Sequence, residues 1–489
     1  MMKSLVLLAL VGALSVGSLA TTGCAKLTDS SNSIFRANDQ QTGLSELSIS
    51  AAFTVTDTAG QPIVGATVLI GTKAGVPFTG NVLTTDANGT ISIPAAWVNP
   101  QPVTVQAKGF VRTTWLAQSP APLALQVRNL AATGKLELKG KATGFGPLPE
   151  DDWADVGLIF PALKKNQLAT LQVSDLVSPE VDTVTVFGQS IDIPSNVSIP
   201  KQTERYIFSI TLDKPVFRTY VNEPKTWKMV ATHARFPFEL VVDKLRNGST
   251  FYDVLNDFEF LSASVKDIAL ANPSTSQDLP ITDLVFAPVV DVAAPKFSSQ
   301  YAMLAVSVVD SNGYLFPTDV KVLGSSETRT LVAPKASTGY VLGALRDANA
   351  PLSGADSDAF SAMIAPSNQT TRFEFLDLPA APKLKGNILK LSPPSASVST
   401  ISAAATYATL SLVDSHVAGK TTIDTKSPMW DVYGNAWSPS IELPELSAMP
   451  KGTYRWEVMF GGAPAGTAVT LGPNLIDNLT HVTKSALDL

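Results

Sequence analysis

The chain has 489 residues, enough for three or four domains at roughly 150 residues each. Hydrophobic residues make up 45% and charged residues only 16%, below the roughly 25% usual for soluble domains. A formal net charge of −6 gives no electrostatic case for nucleic acid or for an anionic lipid surface, both of which need clustered Lys and Arg.

Residues 1–23 have the shape of an export signal. Lys3 supplies a short positive start, an apolar run begins at Leu5, and small residues lead to Thr21-Thr22-Gly23-Cys24. The apolar part is too short, and too interrupted by Gly and Ser, to span a bilayer comfortably. Cys24 is the only cysteine, so no disulfide can form within the chain. With Thr22 acceptable before them, Gly23 and Cys24 resemble the end of the lipobox of bacterial lipoproteins, although Thr21 stands where that family usually has Leu. The resemblance implies a diacylglycerol on Cys24, cleavage before it and acylation of the new amine. Ala25 after the cysteine implies the outer membrane. Two or more acyl chains anchor stably because each buried CH₂ contributes about 0.8 kcal/mol. Residues 24–46 then read as a lipidated polar tether.

Residues 47–128 carry short strand-like runs bounded by Gly, Pro, Asn and Asp, the pattern of a β-sandwich. Asn88-Gly89 is a favoured pair where φ must be positive. Asp57, Gly60, Pro62, Gly65, Ala66 and Val68, then Thr85, Asp86 and Gly89, then Gly109-Phe110, resemble the carboxypeptidase regulatory-like domain. That family implies a transthyretin-like, seven-stranded sandwich, related to carbohydrate-binding-like folds and without catalytic residues of its own. Trp97, Phe110 and Trp115 are either a sugar platform or core aromatics.

Residues 129–297 read as a β-rich domain, with strands at 168–173, 183–187, 206–212 and 236–242. Phe251, Val254, Leu255, Phe258 and Leu261 fall at helical spacing, so 249–270 reads as a helix or, alternatively, a pair of strands. Two further immunoglobulin-like sandwiches are expected at 298–378 and 379–489, the second opening on a Pro-rich linker. The run from Tyr301 to Ser311 echoes the run from Tyr407 to Ser415, which hints at an internal repeat. The fold expected overall is mainly β, with several tandem sandwich domains.

Chemistry-bearing motifs are sparse. His233, His416 and His481 lie in unrelated contexts without metal-ligand spacing, and no nucleophile elbow or phosphate loop occurs. Ser198-Ile-Pro-Lys201 spells S-x-x-K, but Pro200 breaks the helix that motif needs. Asp151, Asp152, Trp153 and Asp155 form an acidic, Trp-containing segment read as a solvated contact loop, and Asp356 and Asp358 pair nearby carboxylates. The sequence therefore points to a non-enzymatic envelope lipoprotein in the outer membrane, with no metal and no cofactor. Its binding domains would meet a glycan or a protein. The alternatives are a structural or assembly lipoprotein and, further off, a carbohydrate- or peptidoglycan-active hydrolase.

Overall fold

The computed structural model describes residues 16–17, 52–130, 135–147, 153–164, 167, 176, 178, 180–186, 189–200, 214–247, 254–335, 337–349, 358–367, 371–395, 398, 400–418, 421–446 and 449–489. The chain is mainly β: among the described residues 58% are strand and 4% helix. Among the described residues the strands form six sheets, consistent with several sandwich units. No described helix is long and apolar enough to cross a membrane.

Seven strands between Ala52 and Val127 enclose the first core. Ala52–Asp57 lies between Thr90–Ser92 and Ala124–Val127 in one sheet. Opposite it run Val82–Thr84, Thr67–Ile70, Gln101–Gln106 and Arg112–Gln118. Alternate residues meet between the layers, so Phe53, Val55, Val68, Ile70, Val103, Trp115 and Leu125 are all buried. The turns follow from side-chain chemistry. Asp86 Oδ1 accepts from the backbone N–H of Asn88 at 2.9 Å and of Thr90 at 2.7 Å, while Gly89 takes φ +68°.

The last 200 or so residues contain two halves of identical strand order. In the first, Tyr301–Ser311 pairs with Tyr314–Leu323 on one side and Gly339–Asp347 on the other, and Phe360–Pro366 follows. In the second, Ala403–Ala418 pairs with Thr421–Gly434 and Thr453–Ala463, and His481–Asp488 follows. Each half also sends one strand pair to an inner sheet, Leu284–Ala293 with Thr328–Pro334, and Ile388–Lys390 with Ser440–Glu442. Even the irregularities match: a bulge falls at Ser307/Val308 opposite Pro317, and another at Leu410/Ser411 opposite Pro428. Equivalent core positions hold Ala305, Leu331 and Val341 in one half and Ala408, Ile441 and Trp456 in the other. Leu284–Ala293 supplies the first half's inner strand and also pairs, at Leu284 and Val285, with Glu259–Leu270.

The halves join edge to edge through Phe360–Pro366 and His481–Asp488, antiparallel. Arg112–Trp115 then pairs in parallel with Trp430–Tyr433, which docks the first sandwich onto the second half. A continuous run of twelve strands therefore leads from Tyr314–Leu323 to Val82–Thr84, and the two-residue strand Val16–Gly17 adds a thirteenth beside Thr421–Gly434. Its Tyr314–Leu323 edge is closed by the middle region. Leu163 and Leu315 exchange backbone hydrogen bonds of 2.7 Å, and the Asn256 carboxamide both donates to and accepts from Val322 at 2.8 Å.

The middle region is built on Trp153–Pro161, Lys225–Pro237 and Glu259–Leu270, all antiparallel. Of the two readings of 249–270, helix or strands, the strand holds from Glu259 onward, where buried Ile268 and Leu270 alternate with exposed Asp267 and Ala269, while Val254 and Leu255 are helical. One expectation is corrected. Of the expected strand at 236–242, only Phe236 and Pro237 are strand; Phe238–Arg246 is a helix with Glu239 in its first turn. Expected strands at 168–173 and 206–212 lie outside the described residues.

Candidate functional site

Clustered ionisable groups are buried at three strand crossings. At the first, Arg128 leaves the first sandwich and grips Asp431 with two hydrogen bonds of 2.6 Å. Tyr407 and Tyr433 add hydroxyls to the same carboxylate at 3.1 and 3.3 Å. Burial opposes the guanidinium charge, but Asp431 outweighs it and holds Arg128 above its ordinary value. The same burial, reinforced by Asp431, pushes Tyr433 well up.

At the second crossing Asp155 is buried and accepts from His233 Nε2 at 2.9 Å and Arg235 Nε at 3.1 Å. The reading of 151–155 as a solvated loop is corrected here for two of its residues. Trp153 and Asp155 lie in the strand Trp153–Pro161, with Trp153 half-buried and Asp155 only 2% exposed. Asp151, Asp152 and the lipid-attachment candidate Cys24 lie outside the described residues.

The third cluster is the largest. Asp358 is 0% exposed and meets Lys426 at 2.8 Å and Arg455 at 3.3 Å. Glu457 accepts from Lys426 at 2.8 Å and Lys484 at 2.7 Å, and Asp424 meets Arg455 at 3.0 Å. Desolvation would raise the Glu457 carboxyl, yet the two ammonium groups hold it well below the usual carboxylate range. Burial likewise opposes the Lys426 charge, and Glu457 and Asp358 more than restore it. From the sequence Asp358 was legible only as half of an Asp-Ser-Asp pair. Lys426, Arg455, Glu457 and Lys484 gave no signal, because their partnership exists only across strands.

Other candidates resolve into structure. Trp97 and Trp115 are core residues, Trp97 edge-on to Phe53, and Phe110 is half-buried against the same core. Trp430 is buried and Trp437 half-buried, its Nε1 donating to the Gly461 carbonyl. Ser198 donates to the Pro215 carbonyl at 2.8 Å, and Lys201 lies outside the described residues. Asp310 and Asp86 hold turns through the backbone N–H groups of Gly313 and of Asn88 and Thr90. His481 is buried, and the His416 side chain lies outside the described residues. Among the described residues no group of three or more His, Cys, Asp or Glu gathers to hold a metal.

No known family matches the chain, and no curated protein sequence does. Among solved structures it is similar to a streptococcal ancillary pilin at 9% identity, over 62% of this chain and 90% of that one, with a TM-score of 0.13. It is also similar to Lac15 from a marine microbial metagenome at 11% identity, over 60% and 84%, with a TM-score of 0.11. At these scores neither likeness bears on fold or function.

Proposed function

We propose that this chain is a non-catalytic envelope lipoprotein, held to the outer membrane by lipid on Cys24, that serves as a stiff β-scaffold presenting protein-binding loops. One observation carries the reading: the first sandwich and both C-terminal halves share one continuous sheet of twelve strands, whose order does not depend on the Val16–Gly17 strand that cleavage before Cys24 would remove. Beads on flexible linkers would reorient independently, whereas a shared sheet fixes each loop relative to the others. The clustered acids and bases support it, since each closes on buried counter-ions. A protein ligand is favoured over a glycan because the described tryptophans are buried or half-buried and offer no aromatic row for stacking. The first sandwich, with the motif spacing of a carboxypeptidase regulatory-like domain, acts as the accessory module nearest the membrane.

Metabolic labelling with a fatty-acid analogue tests the anchor. Label on the wild type and none on Cys24→Ser is expected; an unlabelled, freely released wild type would overturn it. Glycan, ester or peptide hydrolysis by the purified protein, abolished by Asp155→Asn or Glu457→Gln, would overturn the non-catalytic reading.

A further inference from the structure

The Asp358 cluster places three groups together whose chemistry goes beyond an ion pair. Lys426 Nζ, on Thr421–Gly434, lies 2.8 Å from Asp358 Oδ2 and 2.8 Å from Glu457 Oε1, on Thr453–Ala463. Asp358 stands just before the strand Phe360–Pro366 of the other half. An amine, a carboxyl that it can attack and a second carboxyl able to carry a proton are held by three separate segments, with Asp358 wholly buried. Such fixed proximity replaces a bimolecular encounter.

We propose that Lys426 and Asp358 form a self-modification site, at which they condense to an isopeptide bond with Glu457 as the proton relay. Glu457 relays one proton from the Lys426 ammonium to an Asp358 carboxylate oxygen, so that a neutral amine attacks Cγ of a neutral carboxyl. Arg455, 3.3 Å from Oδ2, and Lys484 on the Oδ1 side stabilise the tetrahedral oxyanion. The protonated oxygen takes a second proton from the nitrogen and leaves as water while the C–N amide bond is retained. Ammonium plus carboxylate gives amide plus one water, with no oxidant and no outside reactant. The resting pair is ionised, so the reaction is slow; it need happen only once per chain.

Charge balance favours the product. Two buried ions each carry a desolvation cost, and condensation removes one of each sign. What remains is already paired, Lys484 with Glu457 and Arg455 with Asp424. The new bond would tie the two halves together beside their shared strand junction.

Peptide mapping of the purified full-length protein under denaturing, reducing conditions decides the matter. Expected is a branched peptide joining the Asp358 and Lys426 segments, lighter by one water than the two separate peptides. Lys426→Arg keeps the positive charge but should give only linear peptides, and Glu457→Gln should leave the branch largely unformed. Linear peptides alone from folded wild type would overturn the proposal. So would a branch through Lys484, or a full yield of branch in Glu457→Gln.

Discussion

Ser361 and Thr483 face each other across the antiparallel junction of the two C-terminal halves, and they occupy the same position in each half. Ser307 faces Val341, which faces Ala365; correspondingly Leu410 faces Trp456, which faces Leu487. Ser361 precedes Ala365 by four residues, as Thr483 precedes Leu487. A local two-fold axis therefore passes between them, and the junction is isologous, like that of a symmetric dimer.

The two hydroxyls on that axis differ in use. Thr483 Oγ1 lies 3.1 Å from the Phe360 carbonyl and 3.0 Å from that of Asp377, whereas buried Ser361 Oγ has no partner among the described residues. Thr483→Val should cost about 1–2 kcal/mol, and Ser361→Ala should cost nothing or stabilise slightly. Denaturant unfolding of the two variants measures the difference.

Asp431→Asn should leave the half-buried Arg128 guanidinium without its fully buried counter-ion. The expected loss is about 3–5 kcal/mol, and it should fall on the junction between the first sandwich and the second half. Hydrogen exchange resolved by segment would show this as faster exchange at Arg112–Trp115 and Trp430–Tyr433. A uniform response along the chain would count against a local clamp.

Acid should weaken the second half through His481. Burial lowers this imidazole below its ordinary 6.5, with Glu374 opposing the shift. The unfolded chain thus binds the proton more readily than the folded one. Stability from neutral His481 is complete above pH 6.5 and is lost progressively as pH falls toward the lower folded value. Midpoints of thermal unfolding at about pH 7.5 and about pH 5.5 should differ less in His481→Asn than in wild type.

Two glycines should resist substitution for different reasons. A Cβ on Gly343 would sit 2.5 Å from the Phe373 ring, so Gly343→Ala overpacks the core by about 1–3 kcal/mol. Gly89→Val combines φ +68° with a Cβ 2.6 Å from the Val55 carbonyl oxygen. Thermal unfolding should show both variants destabilised, with Gly89→Val the more so.

Gly89 was legible in the sequence because a turn is local: Asp86, Asn88 and Gly89 contain their own hydrogen bonds. The strand character of most of the chain was legible for the same reason. The spacing of Val254, Leu255 and Phe258 correctly marked burial, but of these only Val254 and Leu255 are helical, and the alternation after Glu259 carried the opposite message. Asp155 looked solvated because its partners His233 and Arg235 lie on another strand, about eighty residues on. The bulge-matched repeat was faint because the halves keep backbone irregularities while exchanging side chains, Val341 for Trp456 among them.

Asn256 has a consequence for how the molecule behaves among its own kind. A sheet grows by offering the next strand an unfilled pair of backbone groups. At Val322 that pair is taken by a carboxamide, which mimics one residue of a neighbouring strand but has no chain on either side to continue the ladder. In the language of polymerisation Asn256 is a terminator. Even where copies crowd together, the chain can thus keep a very wide sheet without that edge recruiting another copy.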